Sequence, residues 1–329
     1  MNIVSSDPMN TIRSSLILIA LGCAVLIAVL ISVITGPVQV SIIDFLTGTL
    51  TDKTHYQILF DIRLPRAIAA ALVGAGLACA GAAMQTLFRN DLADPYTLGT
   101  SAGGAVGVSL AIIAGMALLV PVAAFFGAIG SAFLVYILAA QNRHISTGNL
   151  LLTGIAVSMF FSSVVSVCLV FSGNNMHQIM FWLMGGLWNA SWADIPLLLI
   201  TLIPAGILIL FSRDLNIMSC GEAETRTLGI DPEKTKILLL GVSAGITGLA
   251  VSVSGSIGFI GLVAPHIMRI ITGPDHRILI PASLGCGALL LICADTVSRT
   301  WLGDLPVGIV TAFFGAPFFL MLIRRRSDL

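Results

Sequence analysis

Ionisable side chains are scarce here: only 10% of the 329 residues are Asp, Glu, Lys or Arg, and sixteen bases balance sixteen acids. With no basic excess to neutralise phosphates and no acidic run to form a solvated tail, nucleic-acid partners are excluded. Six cysteines (Cys23, Cys79, Cys168, Cys220, Cys286, Cys293) form no CxxC pair and have no histidine at metal spacing, so they read as small packing residues, with no metal or cofactor expected. HExxH is absent. His266 has no ligand companion at helical spacing and reads as a helix-end or loop histidine. None of the three lysines (Lys53, Lys234, Lys236) follows a glycine, so there is no Walker A loop to cradle ATP.

What is abundant is apolar chain. At 57% hydrophobic with a mean hydropathy of +1.02, the sequence belongs in a membrane. A spanning helix needs about 20 apolar residues, and eight stretches carry no Asp, Glu, Lys or Arg: 14–43, 67–88, 95–142, 144–193, 195–212, 237–268, 278–294 and 305–323. Gly115 and Pro121 divide the third into two helices. Ser254-Gly255-Ser256 divides the sixth into a full span and a shorter segment. The 144–193 stretch is too long for one span; its helix should end near Phe171, leaving a polar-aromatic loop with a short helix around Met176–Met184. These readings predict an all-α polytopic membrane protein with about ten transmembrane helices, a single transmembrane domain over 1–329 with one long polar loop at about 212–236.

Ten crossings put both termini on one side. Placing them inside leaves Arg13, Arg89, Arg143, Arg213, Arg226, Lys234, Lys236, Arg269, Arg277, Arg324, Arg325 and Arg326 in the cytoplasm, against Lys53, Arg63, Arg66 and Arg299 outside. The first apolar run is too long for a signal-peptide core and should be retained as a helix. Small residues recur at spacings of three and four (Gly74, Ala78, Gly81; Gly99, Gly103, Gly107; Gly241, Gly245, Gly248), which lets helix backbones approach closely in lipid.

Two GxSxG matches, around Ser101 and Ser243, raise the alternative of an intramembrane serine hydrolase, but both lie in Gly/Ala-rich helical runs rather than at a strand-to-helix elbow. An ion-coupled secondary transporter, the other alternative, needs an acid near midplane; Asp295, close to the end of its helix, is the sole candidate. The remaining reading is a permease energised by another subunit.

The motifs then become specific. Arg63-Leu64-Pro65-Arg66, Met84-Gln85-Thr86-Leu87-Phe88-Arg89-Asn90, Leu92-Ala93-Asp94-Pro95 and Phe181-Trp182-Leu183-Met184-Gly185 are followed by Gly221-Glu222 and Leu228-Gly229. Next come the run Gly258–Arg269, then Ala294-Asp295-Thr296 and Leu305-Pro306-Val307-Gly308. The chain resembles, nearly end to end, the FecCD-type permeases, the membrane subunits of type II ABC importers for iron chelates, haem and cobalamin. Asp91 stands where that family usually has proline, and Asp304 where it usually has glutamate.

The resemblance implies a transport subunit of the bacterial or archaeal cytoplasmic (inner) membrane rather than an enzyme. It would pair with a second permease copy around a central pathway, above two ATP-binding subunits and below a periplasmic or lipid-anchored substrate-binding protein. By the same resemblance, Glu222, Leu228 and Gly229 couple to the ATPase. Asn90, Leu92, Ser146 and Thr147 form the cytoplasmic gate, and Arg63, Arg66 and Arg299 dock the binding protein. Leu64-Pro65 would hold the first two arginines in a rigid turn. Met176, Met180, Phe181, Trp182 and Met184 are either an interfacial aromatic belt or the mouth of the pathway. The expected cargo is an iron chelate such as a siderophore or haem, then cobalamin, then an oxyanion.

Overall fold

The computed structural model describes residues 8–38, 53–141 and 144–327, so Arg143, counted above for orientation, lies outside the described residues. The regular structure of the described residues is helical apart from one pair of two-residue strands. Helix α1 runs Pro8–Ile34. A turn of helix at Lys53–Gln57 and a π-helical segment Ile58–Arg63 lead without a break into α2, Leu64–Phe88. Proline in the first turn lacks only an N–H that a helix start leaves unbonded. Leu64-Pro65 is therefore helical, not the rigid turn expected from the sequence.

Helices α3 (Thr100–Ile113) and α4 (Val120–Ala139) follow, divided where Gly115 and Pro121 predict. Strands β1 (Ala140–Gln141) and β2 (His144–Ile145) pair antiparallel, Ala140 opposite Ile145, and turn the chain into α5 (Thr147–Phe171). The short helix expected after Phe171 is α6, Met176–Met184. A one-turn helix Ile195–Leu199 precedes α7 (Leu202–Leu210), which bends by 59° into α8, Ser212–Cys220. Next come α9 (Glu222–Thr227), α10 (Pro232–Ser254), α11 (Ile260–Thr272), α12 (His276–Trp301) and α13 (Val307–Ser327). The polar loop expected at 212–236 is thus largely helical, its end forming the first turn of α10. His266 lies inside α11, after Pro265, rather than at a helix end.

Among the described residues, six helices are long and apolar enough to cross a membrane, or seven if the bent pair at 195–220 is one span. Three more, Thr100–Ile113, Ile260–Thr272 and Val307–Met321, are apolar but shorter. At 1.5 Å per residue such helices extend only about 20 Å, against a hydrocarbon core of about 30 Å. Counting charge-free stretches toward ten therefore overstates what helix length alone supports.

The arrangement is centred on α2. Its apolar window is 83% buried and that of α10 72%, whereas α1 has 11% and α4 and α5 each 22%. The composition of α2 explains its place: a run of Ala and Gly lets neighbours approach backbone to backbone. A methyl added to Gly81 would overlap the Gly261 carbonyl of α11, and one on Gly74 the Gly287 carbonyl of α12. In α10 the expectation fails, since Gly241 and Gly245 face open space and only Gly248 abuts a neighbour, Phe125. The cysteines also divide: Cys79, Cys168 and Cys286 are buried, while Cys23, Cys220 and Cys293 are exposed rather than packed.

Candidate functional site

Polar side chains gather at the two ends of the helical body. At one end, the start of α2 and the end of α12 meet the end of α1. Arg63 donates to the carbonyls of Val33 (3.2 Å), Ile34 (3.0 Å) and Val38 (2.6 Å), and Arg299 donates to the carbonyl and hydroxyl of Ser32. Helix C-termini leave carbonyls unbonded, and these two cations satisfy those of α1. Arg66 is gripped by two carboxylates. Its Nε lies 3.0 Å from both oxygens of Asp295, and its Nη2 lies 2.8 Å from Asp295 Oδ1 and 2.6 Å from Asp304 Oδ1. A planar guanidinium is suited to such two-sided pairing.

All three arginines are buried, with 3%, 5% and 7% of their surface exposed for Arg63, Arg66 and Arg299. Arginines near helix ends can snorkel to lipid headgroups, but these three are turned onto internal partners. Asp295, the one acid offered for ion coupling, is held by Arg66. Asp304, a departure from the family pattern, is the half-exposed member of the network and has φ of 61°.

Near this end, α6 presents Met176, Met180 and Met184 at intervals of four, exposed along one stripe. Phe181 and Trp182 instead line a cavity of about 640 Å³ with Trp188, Asn175, His177 and Asn189. Phe181 meets Trp188 edge to face at 5.6 Å. The five residues expected to act together are thus split between an apolar stripe and an aromatic cavity wall.

The opposite end gathers the close of α2, the β1–β2 turn, α8, α9 and the starts of α10 and α12. Arg89 adopts a left-handed conformation (φ 46°) that stops α2, and the exposed Asn90 accepts a hydrogen bond from Leu92 N (3.1 Å). The Asp91 carboxylate lies 3.3 Å from Arg269 Nε, and Arg269 also donates to Gln85 (2.9 Å), so this second departure from the family pattern supplies an ion pair. Asp94 caps the following turn by accepting from Tyr96 N at 2.8 Å; burial pushes its carboxyl up to about 6, while that hydrogen bond pulls the other way. Ser146 and Thr147, partly buried, open α5.

In α9, Leu228 and Gly229 just past its end are open: Leu228 is 52% exposed, and Gly229 has φ of 79° with no atom near its missing Cβ. Glu222 differs, pointing inward to Lys236 at 2.9 Å with a quarter of its side chain exposed. Lys236 is fully buried, and sequence reasoning missed it as anything more than a topology marker. Its only signal was Glu233 one helical turn earlier, a spacing that ordinarily marks a solvated pair.

Neither candidate serine resembles a nucleophile. The Ser101 hydroxyl bonds that of Ser256 (2.7 Å), and Ser243 donates to the Ala80 carbonyl (3.3 Å), so neither bond is to a general base.

The model of the FecCD transport family matches residues 24–325. A "Cobalamin import system permease protein BtuC" of Halobacterium salinarum is 44% identical over 278 residues, covering 84% of this chain and 75% of its own. An uncharacterised ABC transporter permease protein, YvrB, of Bacillus subtilis is 39% identical, covering 84% of this chain and 81% of its own. A "Vitamin B12 import system permease protein BtuC" of Salmonella paratyphi A is 39% identical over 322 residues, 94% of this chain and 95% of its own. Among solved structures, one described as a metal-chelate type ABC transporter in an inward-facing conformation superposes with a TM-score of 0.86 at 32% identity, over 94% of this chain and 99% of that one. With the helical order, the polar ends and these relatives in agreement, this multi-pass membrane chain belongs to the FecCD transport family, the permease subunits of ABC importers.

Proposed function

We propose that this permease imports cobalamin. The observation that carries the reading is the 44% identity to a permease named for cobalamin import, supported by a second so named at 39% over nearly the whole length of both chains. These names support cobalamin as the first reading, where the sequence alone favours an iron chelate. A siderophore or haem is the second reading, favoured by the metal-chelate transporter whose structure superposes so closely. The permease works as a homodimer of ten-crossing domains, with both termini cytoplasmic and the three shorter apolar helices as crossings. Two ATP-binding subunits meet Leu228 and Gly229, with Glu222 behind them, while Asn90, Leu92, Ser146 and Thr147 close the pathway on that side. A binding protein docks at the arginine end, and α6 lines the mouth.

The test is ATP-driven uptake into proteoliposomes containing the permease with its ATPase and binding protein. Uptake of cyanocobalamin, uncompeted by ferric siderophores or haem, is expected. Transport of an iron chelate with cyanocobalamin ignored would reverse the order of the two readings.

A further inference from the structure

Lys236 has no exposed surface, yet its ammonium has a full set of partners drawn from three elements. It donates to the Ile145 carbonyl at 2.6 Å in β2 and to Glu233 Oε1 at 3.1 Å in its own helix, and lies 2.9 Å from Glu222 Oε1 at the start of α9. Two of its N–H groups thus donate hydrogen bonds, and the Glu222 carboxylate adds an ion pair. Glu233 completes the clamp, because its other oxygen accepts from Ile145 N at 3.0 Å. Both polar groups of the Ile145 peptide backbone are thereby held by α10, and Ile145 directly precedes Ser146 and Thr147. Since Ile145 is also paired with Ala140 across the β1–β2 turn, the clamp fixes the end of α4 as well as the start of α5.

A buried ion pair is weak evidence for stability, since apolar residues of similar volume often serve as well. What it does impose is registry: moving Glu222 away leaves the fully buried ammonium with one fewer partner, so α9 and the β1–β2 turn are penalised for moving apart. We propose that Lys236 is the positioning residue that makes the gate turn follow α9, so that displacement of Leu228 and Gly229 is delivered to Ser146 and Thr147. This rests on the coupling and gate assignments proposed above and adds the physical link between them.

The test uses the assembled importer in nanodiscs, in a background without native cysteines, with spin labels on Ala223→Cys, exposed in α9, or on Gly148→Cys, at the exposed second residue of α5, and distances measured between the two copies with and without ATP. In the parent, both labels are expected to shift. In Lys236→Met, the 223 label should still shift while the 148 label stays in place, and ATP consumed per substrate moved should rise at least tenfold. Lys236→Arg should restore much of the coupling. Glu222→Ala removes both the charge and the acceptor that link Lys236 to α9 and leaves the Ile145 clamp intact, so it gives the same readout should Lys236→Met fail to fold. A 148 label that still follows nucleotide in Glu222→Ala or Lys236→Met, at parental stoichiometry, would overturn the proposal alone. A 223 label indifferent to nucleotide in the parent would overturn the coupling assignment and this proposal with it.

Discussion

Removing the Asp295 carboxylate is the perturbation whose consequence the arginine end defines most sharply. Asp295 is 1% exposed and takes two of the nitrogens of Arg66, itself 5% exposed. Breaking one partner of a buried pair costs about 3–5 kcal/mol, because the other charge is left uncompensated. Here Asp304 still holds the guanidinium from the solvent side, at 2.6 Å, so Asp295→Ala is expected near the low end, about 3 kcal/mol. Asp304→Ala removes a carboxylate with 44% of its side chain exposed and is expected to cost about 1 kcal/mol or less. The pair Arg66→Met with Asp295→Leu removes the buried pair as a unit and should recover part of the loss, Arg299 then lacking the nearby Asp295 charge. Reversible denaturant unfolding in mixed micelles, run as a double-mutant cycle, measures all of these. A cost below about 1 kcal/mol for Asp295→Ala, or a double variant as unstable as the two singles combined, would refute the idea that a desolvated charge pair holds this end together. Asp295→Asn should also leave uptake insensitive to ion gradients, since a carboxylate held by an arginine is not available as a carrier of protons or sodium.

Gly229→Trp should uncouple ATP hydrolysis from uptake while the protein remains folded, since the added side chain meets open space and the left-handed backbone (φ 79°) costs only about 1–2 kcal/mol at an exposed turn; normal uptake by that variant would remove Leu228 and Gly229 from the ATPase contact. Gly81→Leu should destabilise α2 against α11 by about 3 kcal/mol or more, measurable by the same unfolding assay, because the side chain must displace the Gly261 carbonyl. The Asp94 carboxyl, at about 6 when folded against about 3.9 unfolded, holds its proton more tightly in the native state. Stability should therefore fall as pH rises from about 4 to about 6, and Asp94→Asn should flatten unfolding curves in that window. At the proposed docking end, association of the binding protein with the assembled permease should weaken as salt rises; affinity unchanged between low and high salt would count against charge-guided docking at this end.

Membrane residence, helical class and most helix breaks were legible from the sequence, because hydropathy and the Gly/Pro/Ser interruptions act locally on the backbone. The division at Gly115 and Pro121, the break at 254–256, the end of α5 at Phe171 and the short α6 all lie where side-chain chemistry alone puts them. The family, too, could be read from short motifs whose residues are close in sequence. Partners distant in sequence could not. Arg66 meets Asp295 and Asp304 across more than two hundred residues, and Lys236 meets Ile145 across ninety-one. Nothing in the local pattern distinguishes Lys236 from the solvated Lys234 two residues before it. Which glycines serve as contacts was also a tertiary matter: Gly81 and Gly241 share the same spacing rule, but α2 lies at the centre of the bundle and that face of α10 does not. Spacing states what a helix can pack against, and only the surrounding helices decide what it does.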